Sequence, residues 1–329
     1  MERTLAFAVK RPRSLVEAAA LLAAQPDARL VAGGTDLVPN LRRGIGMPAA
    51  LIDVSGIAGF AAIARDAQGW SIGAGTTLAT IAADESITRE LPALAQAAAS
   101  VAGPGHRSVA TLGGNLCLDT RCVFYNQSQW WRQSNDFCLK HGGDTCHVAP
   151  QGKRCHAAFS GDVAPALIAL DATVEIVGPR NTRTVPLAEL YADDGAVCLR
   201  LEANELIAAI CIPPQPEGSR SGYRKARVRG AMDFPLAGVA MRATFEQGKL
   251  ASLRVALTGT NSRPLLLDGT DALCGAPVDE AMLAALGKRI GKQVSPMRTT
   301  VTASNYRRQV AIVMGQRLIG DLAGAPATG

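Results

Sequence analysis

The chain has 329 residues, of which 48% are hydrophobic and 19% charged, and this length fits two or three domains rather than one ordinary core. The composition is typical of a globular protein and excludes a disordered one. The formal net charge of +6 is modest and only 4% of residues are aromatic, so the pattern does not favour nucleic acid, whose binding proteins combine a basic face with aromatic platforms.

Hydropathy and cysteine content indicate the cellular compartment and the chemistry of the cysteines. No apolar run reaches the roughly 18 residues that span a bilayer, and the first residues lack the layout of a signal peptide. We therefore expect a cytoplasmic protein without a membrane partner. The chain has eight cysteines, and in a reducing compartment close groups of cysteines indicate metal or redox chemistry rather than disulfides.

The N-terminal segment predicts a β-α-β unit. An apolar strand is expected over 5–8, and Ser14 with Glu17 forms a capping-box pattern for a helix that runs to about residue 24. Strands are then expected over 29–32 and 51–54. Strands that alternate with a helix or a turn predict a small parallel sheet.

The middle segment predicts mixed α and β structure. A strand is expected over 70–75, a short helix over 78–84 and an alanine-rich helix over 91–101. Further along, 165–170 predicts a helix or a turn, and 172–177 predicts a strand.

The C-terminal segment predicts an antiparallel hairpin followed by helices. Alternating runs over 238–245 and 250–257 flank a turn at Gln247 and Gly248. The tail over 279–322 is expected to be helical with a broken centre.

The predicted fold class is α+β with three domains. A small parallel α/β unit is expected over 1–56 and a mixed α+β domain over 57–217. An antiparallel sheet with helices is expected over 218–329.

Two glycine-rich loops suggest phosphate binding. The first, over 32–37, reads Ala-Gly-Gly-Thr-Asp-Leu and follows a predicted strand, and the second, over 111–115, reads Thr-Leu-Gly-Gly-Asn. Adjacent glycines let backbone N–H groups approach a diphosphate. Each loop alone is equally typical of a simple turn, and neither matches the Rossmann fingerprint or the P-loop.

Together the two loops, an Asp-x-x-Pro segment over 162–165 and a basic strand over 223–225 resemble the FAD-binding subunits of the xanthine dehydrogenase and carbon monoxide dehydrogenase family. The resemblance covers nearly the whole chain and implies the three-domain fold and FAD. It also implies a set of FAD-binding positions, with diphosphate contacts in the first loop: Arg29, Leu30, Val31, Ala32, Gly33, Gly34, Thr35, Asp36, Leu37, Val101, Thr111, Gly114, Asn115, Asp162, Leu206 and Lys225. Val101 and Leu206 are equally consistent with core packing, and Lys225 with a solvated basic strand.

Four cysteines lie in a polar segment, over about 121–156, that departs from the family pattern: Cys122, Cys138, Cys146 and Cys155. A polar segment of this length buries too little apolar surface to offset a backbone entropy cost of about 1–2 kcal/mol per residue, so it needs a cross-link. One [4Fe–4S] cluster with four thiolate ligands would supply it. A zinc site involving His141, His147 or His156 is the main competitor, although no two of these four cysteines have the Cys-x₂₋₄-Cys spacing of a zinc knuckle, and disulfides rank third.

The resemblance implies an electron-transfer subunit that carries no catalytic residue for the final substrate. Electrons would pass between the cluster, FAD, and the [2Fe–2S] and molybdenum centres of partner chains. The implied assembly is a dimer of heterotrimers with a molybdenum large subunit and a [2Fe–2S] small subunit.

The cysteine insertion decides which parent reaction we expect, and the reactions of ordinary family members are the alternative. The cysteine insertion is similar to that of a family member that takes electrons from reduced ferredoxin and removes a phenolic hydroxyl reductively during aromatic degradation. An ordinary member would oxidise an aldehyde, a purine or carbon monoxide, and a zinc-stapled binding module would be a non-redox alternative.

Overall fold

The computed structural model describes residues 7–298 and 302–324. Within these ranges, three sheets form the framework: a parallel sheet of three strands, an antiparallel sheet of five and an antiparallel sheet of four. Helices pack on and between them, so the predicted α+β class is confirmed. No helix in these two described ranges is long and apolar enough to cross a membrane.

The N-terminal sheet has the strand order β1-β3-β2 with all pairs parallel, which confirms the prediction. Its strands β1, β2 and β3 cover Ala8–Lys10, Arg29–Val31 and Ala50–Asp53, and helices α1 and α2 cover Leu15–Ala24 and Leu37–Arg42. The loop between β2 and α2 is the first glycine loop.

Helix α1 begins where the capping box predicts. The Ser14 hydroxyl accepts a hydrogen bond from the Glu17 N–H at 3.1 Å. The Glu17 carboxylate accepts from the Arg13 N–H at 2.7 Å instead of from that of Ser14, so only half of the reciprocal pair is present. Of the strand predicted over 5–8, residues 5 and 6 lie outside the described residues.

The middle sheet is antiparallel with the order β4-β5-β8-β6-β7. Its strands β4 to β8 cover Ile63–Asp66, Gly69–Gly73, Thr173–Val177, Thr182–Pro186 and Leu206–Ile212. The helices α3 to α9 cover Leu78–Ala83, Glu85–Glu90, Pro92–Ser100, Pro104–Arg107, Leu112–Leu116, Gln129–Gln133 and Val163–Ala169.

Helix α9 is buried along its whole length because every residue in it is apolar. It packs against α5 and α7 and against the C-terminal sheet. Just beyond its C-terminal end, Asp171 receives salt bridges from Arg242 and Arg254, both at 2.7 Å. This helix therefore ties the middle segment to the C-terminal sheet.

The C-terminal sheet has the order β12-β11-β10-β9 and all its pairs are antiparallel. The predicted turn is confirmed, since Gln247 and Gly248 have φ values of 50° and 77°, as a type I′ hairpin requires. The strands β9 to β12 cover Arg220–Ala226, Ala237–Glu246, Lys249–Thr258 and Leu265–Leu266, and helices α10 and α11 cover Glu280–Gln293 and Ser304–Ala323.

The cysteine-bearing insertion is closed at its base by an antiparallel bridge between Arg121 and Ala158, with N–H to O distances of 2.7 and 2.8 Å. Its interior is organised by Arg132, which is 2% exposed. The Arg132 guanidinium donates to the carbonyls of Gln127 at 2.8 Å and Gly44 at 2.9 Å. Buried charge requires such partners, so Arg132 orders the insertion and attaches it to the loop after α2.

Candidate cofactor sites

The two glycine loops meet in the structure. A Cβ atom at Gly33 would collide with the backbone carbonyl of Val109, just before the second loop. Gly34 has a φ of 67°, in the region that favours glycine. Two segments that are far apart in sequence thus approach each other at bare backbone, as a shared diphosphate cradle requires.

The second loop is the first turn of helix α7 rather than an isolated turn. The Thr111 hydroxyl caps it by accepting from the Gly114 N–H at 3.1 Å. Gly113 is buried, and a Cβ there would lie 2.8 Å from the Cβ of Ala74, whereas Gly114 is exposed. Gly113 therefore permits close packing and Gly114 presents its backbone to the outside.

Asn115 connects the second loop to the Asp-x-x-Pro segment. The buried Asn115 side chain accepts a hydrogen bond from the Val163 N–H at 3.1 Å. A Cβ at Gly161 would lie 2.6 Å from the Asn115 carbonyl oxygen. The structure thus brings Asn115 next to Asp162, which the sequence places in the same candidate site.

Asp162 is the centre of a buried polar network. Its carboxylate accepts from the Tyr223 hydroxyl at 2.6 Å and from the Lys225 ammonium at 2.9 Å. The Lys225 and Asp162 side chains are 4% and 5% exposed, so the solvated-strand alternative for Lys225 is wrong. Burial raises the pKa of the Asp162 carboxyl, and Lys225 and Tyr223 oppose that rise.

The other predicted FAD-binding residues lie in three places. Val101 adjoins this network, because Lys225 also donates to the carbonyl of the preceding residue, Ser100, at 3.2 Å. Leu206 lies in β8 opposite Val177 and belongs to the main hydrophobic core, as the core alternative expects. The remaining residues, Arg29, Leu30, Val31, Ala32, Thr35 and Leu37, lie in β2, the first glycine loop and the start of α2.

Arg121, which sequence reasoning missed, joins the candidate flavin loop to the insertion. Its guanidinium forms an ion pair with Asp36 and lies 4.5 Å over the Phe234 ring. Asp36 also accepts from the Asn40 side chain at 3.1 Å. Burial lowers the pKa of Arg121 to about 10. In the sequence, the only sign of a role for Arg121 is its position directly before Cys122.

The four predicted cluster cysteines share one environment. Cys146 and Cys155 are buried, and Cys122 and Cys138 are half-buried. Burial raises the pKa of the Cys122 thiol, and the nearby Cys138 and Cys146 thiols raise it further. Burial likewise raises the pKa of Cys155 to about 11, with further contributions from Cys146 and Cys122.

Backbone N–H groups point at two of these sulfurs. The Phe124 N–H donates to the Cys122 Sγ and the Ala157 N–H to the Cys155 Sγ, each at 3.4 Å. All eight cysteines are free thiols. In the part of the chain that the structure describes, no group of three or more His, Cys, Asp or Glu residues is arranged to hold a metal ion. The predicted cluster is therefore not shown by the geometry and stays a hypothesis.

Lys140 is a second functional candidate that sequence reasoning missed. Its ammonium donates to Asp119 at 2.6 Å and lies 4.5 Å from the centre of the Tyr125 ring, and its side chain is 5% exposed. Tyr223 was missed as well, although strand alternation places it on the same face of β9 as Lys225.

Comparison with known families identifies the chain. Residues 5–215 match the FAD binding domain in molybdopterin dehydrogenase, and residues 221–322 match the CO dehydrogenase flavoprotein C-terminal domain. These two matches define the class of protein, a flavoprotein subunit of an oxidoreductase complex. The chain belongs to the FAD-binding medium subunits of the xanthine and CO dehydrogenase family.

Individual relatives agree with this assignment. The putative xanthine dehydrogenase FAD-binding subunit XdhB of Escherichia coli K12 is 28% identical over 318 residues, covering 96% of this chain and 95% of its own. The aldehyde oxidoreductase FAD-binding subunit PaoB of the same strain is 34% identical over 276 residues, covering 81% and 85%. The crystal structure of the Cu,Mo-CO dehydrogenase in its cyanide-inactivated form matches with a TM-score of 0.80 at 24% identity, covering 97% and 98%, which shows the shared fold.

Proposed function

We propose that this chain is the electron-transfer flavoprotein subunit of a molybdenum hydroxylase-type enzyme and that it holds one FAD and one [4Fe–4S] cluster. The observation that carries the proposal is the ion pair between Asp36 and Arg121. It joins the first glycine loop to the start of the cysteine insertion, so the two candidate cofactor sites are neighbours.

The described residues fit FAD. The contact of Gly33 with the Val109 carbonyl brings two backbone-lined loops together, which suits a diphosphate. The first loop, Thr111, Gly114 and Asn115 would hold the nucleotide. Asp162 and Lys225 would orient the flavin, since they are fixed to each other and are 5% and 4% exposed.

The donor groups of the insertion, rather than their arrangement, support an iron–sulfur cluster. Backbone N–H groups already donate to Cys122 and Cys155, and such bonds stabilise thiolate ligands. Among the described residues, the buried amide Nδ2 of Asn126 has no hydrogen-bond partner, although the Oδ1 of the same side chain accepts from the Cys122 N–H at 2.9 Å. A cluster sulfide would satisfy this donor.

The partners follow from the family. FAD exchanges two electrons and an iron–sulfur cluster one, so a chain that holds both links one-electron and two-electron chemistry. We propose that it assembles with a molybdenum large subunit and a [2Fe–2S] small subunit as a dimer of heterotrimers. The domain ranges 1–56, 57–217 and 218–329 and a cytoplasmic location belong to the same proposal.

For the parent reaction we propose oxidation of an aldehyde, because the 34% identity to the aldehyde oxidoreductase subunit exceeds the 28% identity to XdhB. A second candidate is the β subunit of 4-hydroxybenzoyl-CoA reductase, with reduced ferredoxin as electron donor. The four-cysteine insertion over about 121–156 is the observation that favours it.

Substrate-dependent electron transfer in the complete complex separates the two candidates. We expect aromatic or aliphatic aldehydes to reduce an artificial electron acceptor, with no dehydroxylation of 4-hydroxybenzoyl-CoA when reduced ferredoxin is added. Formation of benzoyl-CoA, without aldehyde oxidation, would instead establish the second candidate.

A further inference from the structure

We propose that Lys140 sets the reduction potential of the [4Fe–4S] cluster by holding a buried positive charge beside its ligands, and that Asp119 offsets part of this effect. The inference rests on the cluster of the proposed function. It assigns a role to two residues that neither hold the cluster nor contact the flavin loops in the structure.

The chain confines the Lys140 ammonium between two ligand-bearing segments. Lys140 lies two residues after Cys138, and its Nζ donates to the Thr120 carbonyl at 3.4 Å and to Asp119 at 2.6 Å. Thr120 in turn lies two residues before Cys122. Consecutive Cα atoms are about 3.8 Å apart. Cys138 therefore lies two such steps from the lysine itself, and Cys122 lies two such steps from Thr120, whose carbonyl the ammonium contacts.

Water screens this charge poorly. The Lys140 side chain is 5% exposed, and its ammonium lies over the Tyr125 ring at 4.5 Å. Charges in such surroundings act over longer distances than charges in solvent.

The sign of the effect follows from charge. A cluster with four thiolate ligands becomes more negative when it accepts one electron, so a neighbouring cation stabilises the reduced form more than the oxidised form. Lys140 therefore raises the potential. Asp119 lowers it, and less strongly, because its side chain is 37% exposed and better screened.

The magnitude is measurable. A unit charge in an effective dielectric of about 20 contributes about 1.4 kcal/mol at roughly 12 Å, which is a tenfold change in equilibrium constant. For a one-electron couple this corresponds to about 59 mV. The Lys140→Met variant should thus move the midpoint potential of the cluster by about this amount in the negative direction.

The test is a redox titration of the complete complex, monitored by electron paramagnetic resonance of the reduced cluster, with iron quantified in every sample. Lys140→Met should shift the midpoint negative and Asp119→Asn should shift it positive, while Lys140→Arg stays near the wild type. Lys153→Met removes an exposed lysine from the same insertion and should leave the midpoint unchanged.

A structural disturbance alone would not shift the midpoint potentials of Lys140→Met and Asp119→Asn in opposite directions. Shifts in the same direction for Lys140→Met and Asp119→Asn would overturn the inference, as would a Lys140→Met shift no larger than that of Lys153→Met at full iron content. If Lys140→Met loses its iron, the absence of a positive shift in Asp119→Asn overturns it. A wild-type complex without cluster iron in this subunit would instead refute the proposed function.

Discussion

At the scale of single residues, Asp162 joins parts of the chain that are remote in sequence. Tyr223 lies 61 residues away and Lys225 lies 63 residues away, yet both donate to the one carboxylate. The sequence predicted Asp162 and Lys225 through the family resemblance, but nothing local specifies their pairing. Such a contact depends on how α9 and β9 pack, which hydropathy patterns do not encode.

Tyr223→Phe tests the strength of this network. Removing the hydroxyl leaves a buried carboxylate with one fewer donor, so we expect the free energy of unfolding to fall by about 1–3 kcal/mol in chemical denaturation. Tyr306→Phe, at a tyrosine that is 56% exposed, is the matched control and should change stability by less than about 0.5 kcal/mol. Equal effects of the two variants would show that the network contributes little.

At the scale of elements, most local structure could be predicted because its causes are local. The capping serine before α1, the alternation in β10 and β11 and the Gln247-Gly248 turn each specify structure within a few residues. Local sequence determines the second glycine loop less fully, since a Gly-Gly pair is typical of turns and here lies in the first turn of α7. The close approach of Gly33 to Val109, which brings the two loops side by side, is visible only in the structure.

Gly33→Ala tests whether the meeting of the two loops matters for the flavin. The new Cβ would force the Val109 backbone away, and overpacking of this kind costs about 1–3 kcal/mol. We therefore expect FAD affinity to fall by roughly 5- to 150-fold, measured as flavin absorbance per protein during dilution or dialysis. Gly56→Ala, at a glycine with open space around its Cβ position, should keep the flavin of the wild type; comparable flavin loss there would contradict this expectation.

At the scale of the whole molecule, the insertion departs most from what sequence reasoning anticipated. A staple was expected because the segment over about 121–156 is polar, yet the fully buried Arg132 supplies much of the internal order by itself. Arg132 and Arg121 also attach the insertion to the N-terminal segment at Gly44 and Asp36. These contacts join residues more than 80 positions apart, which explains why no local sequence pattern predicts them.

The two candidate cofactor sites therefore belong to one connected body. The ion pair between Asp36 and Arg121 joins the first glycine loop to the base of the insertion. The hydrogen bond between Asn115 and Val163 joins the second glycine loop to α9. We expect loss of the cluster to leave this scaffold standing, because Arg132, rather than the thiols, makes the attachments that the structure shows. Flavin and iron should then respond separately to mutation.

The proposal that this subunit holds both FAD and a [4Fe–4S] cluster is tested most directly by cofactor analysis. The wild type and Cys138→Ser are compared after anaerobic purification. The wild type should contain one FAD and about four irons with acid-labile sulfide in this subunit, and Cys138→Ser should lose the iron while largely keeping the flavin. Cys274→Ser, a half-buried cysteine outside the insertion, should retain both. Stoichiometric zinc without sulfide, or iron that is undiminished in Cys138→Ser, would contradict the proposed cluster.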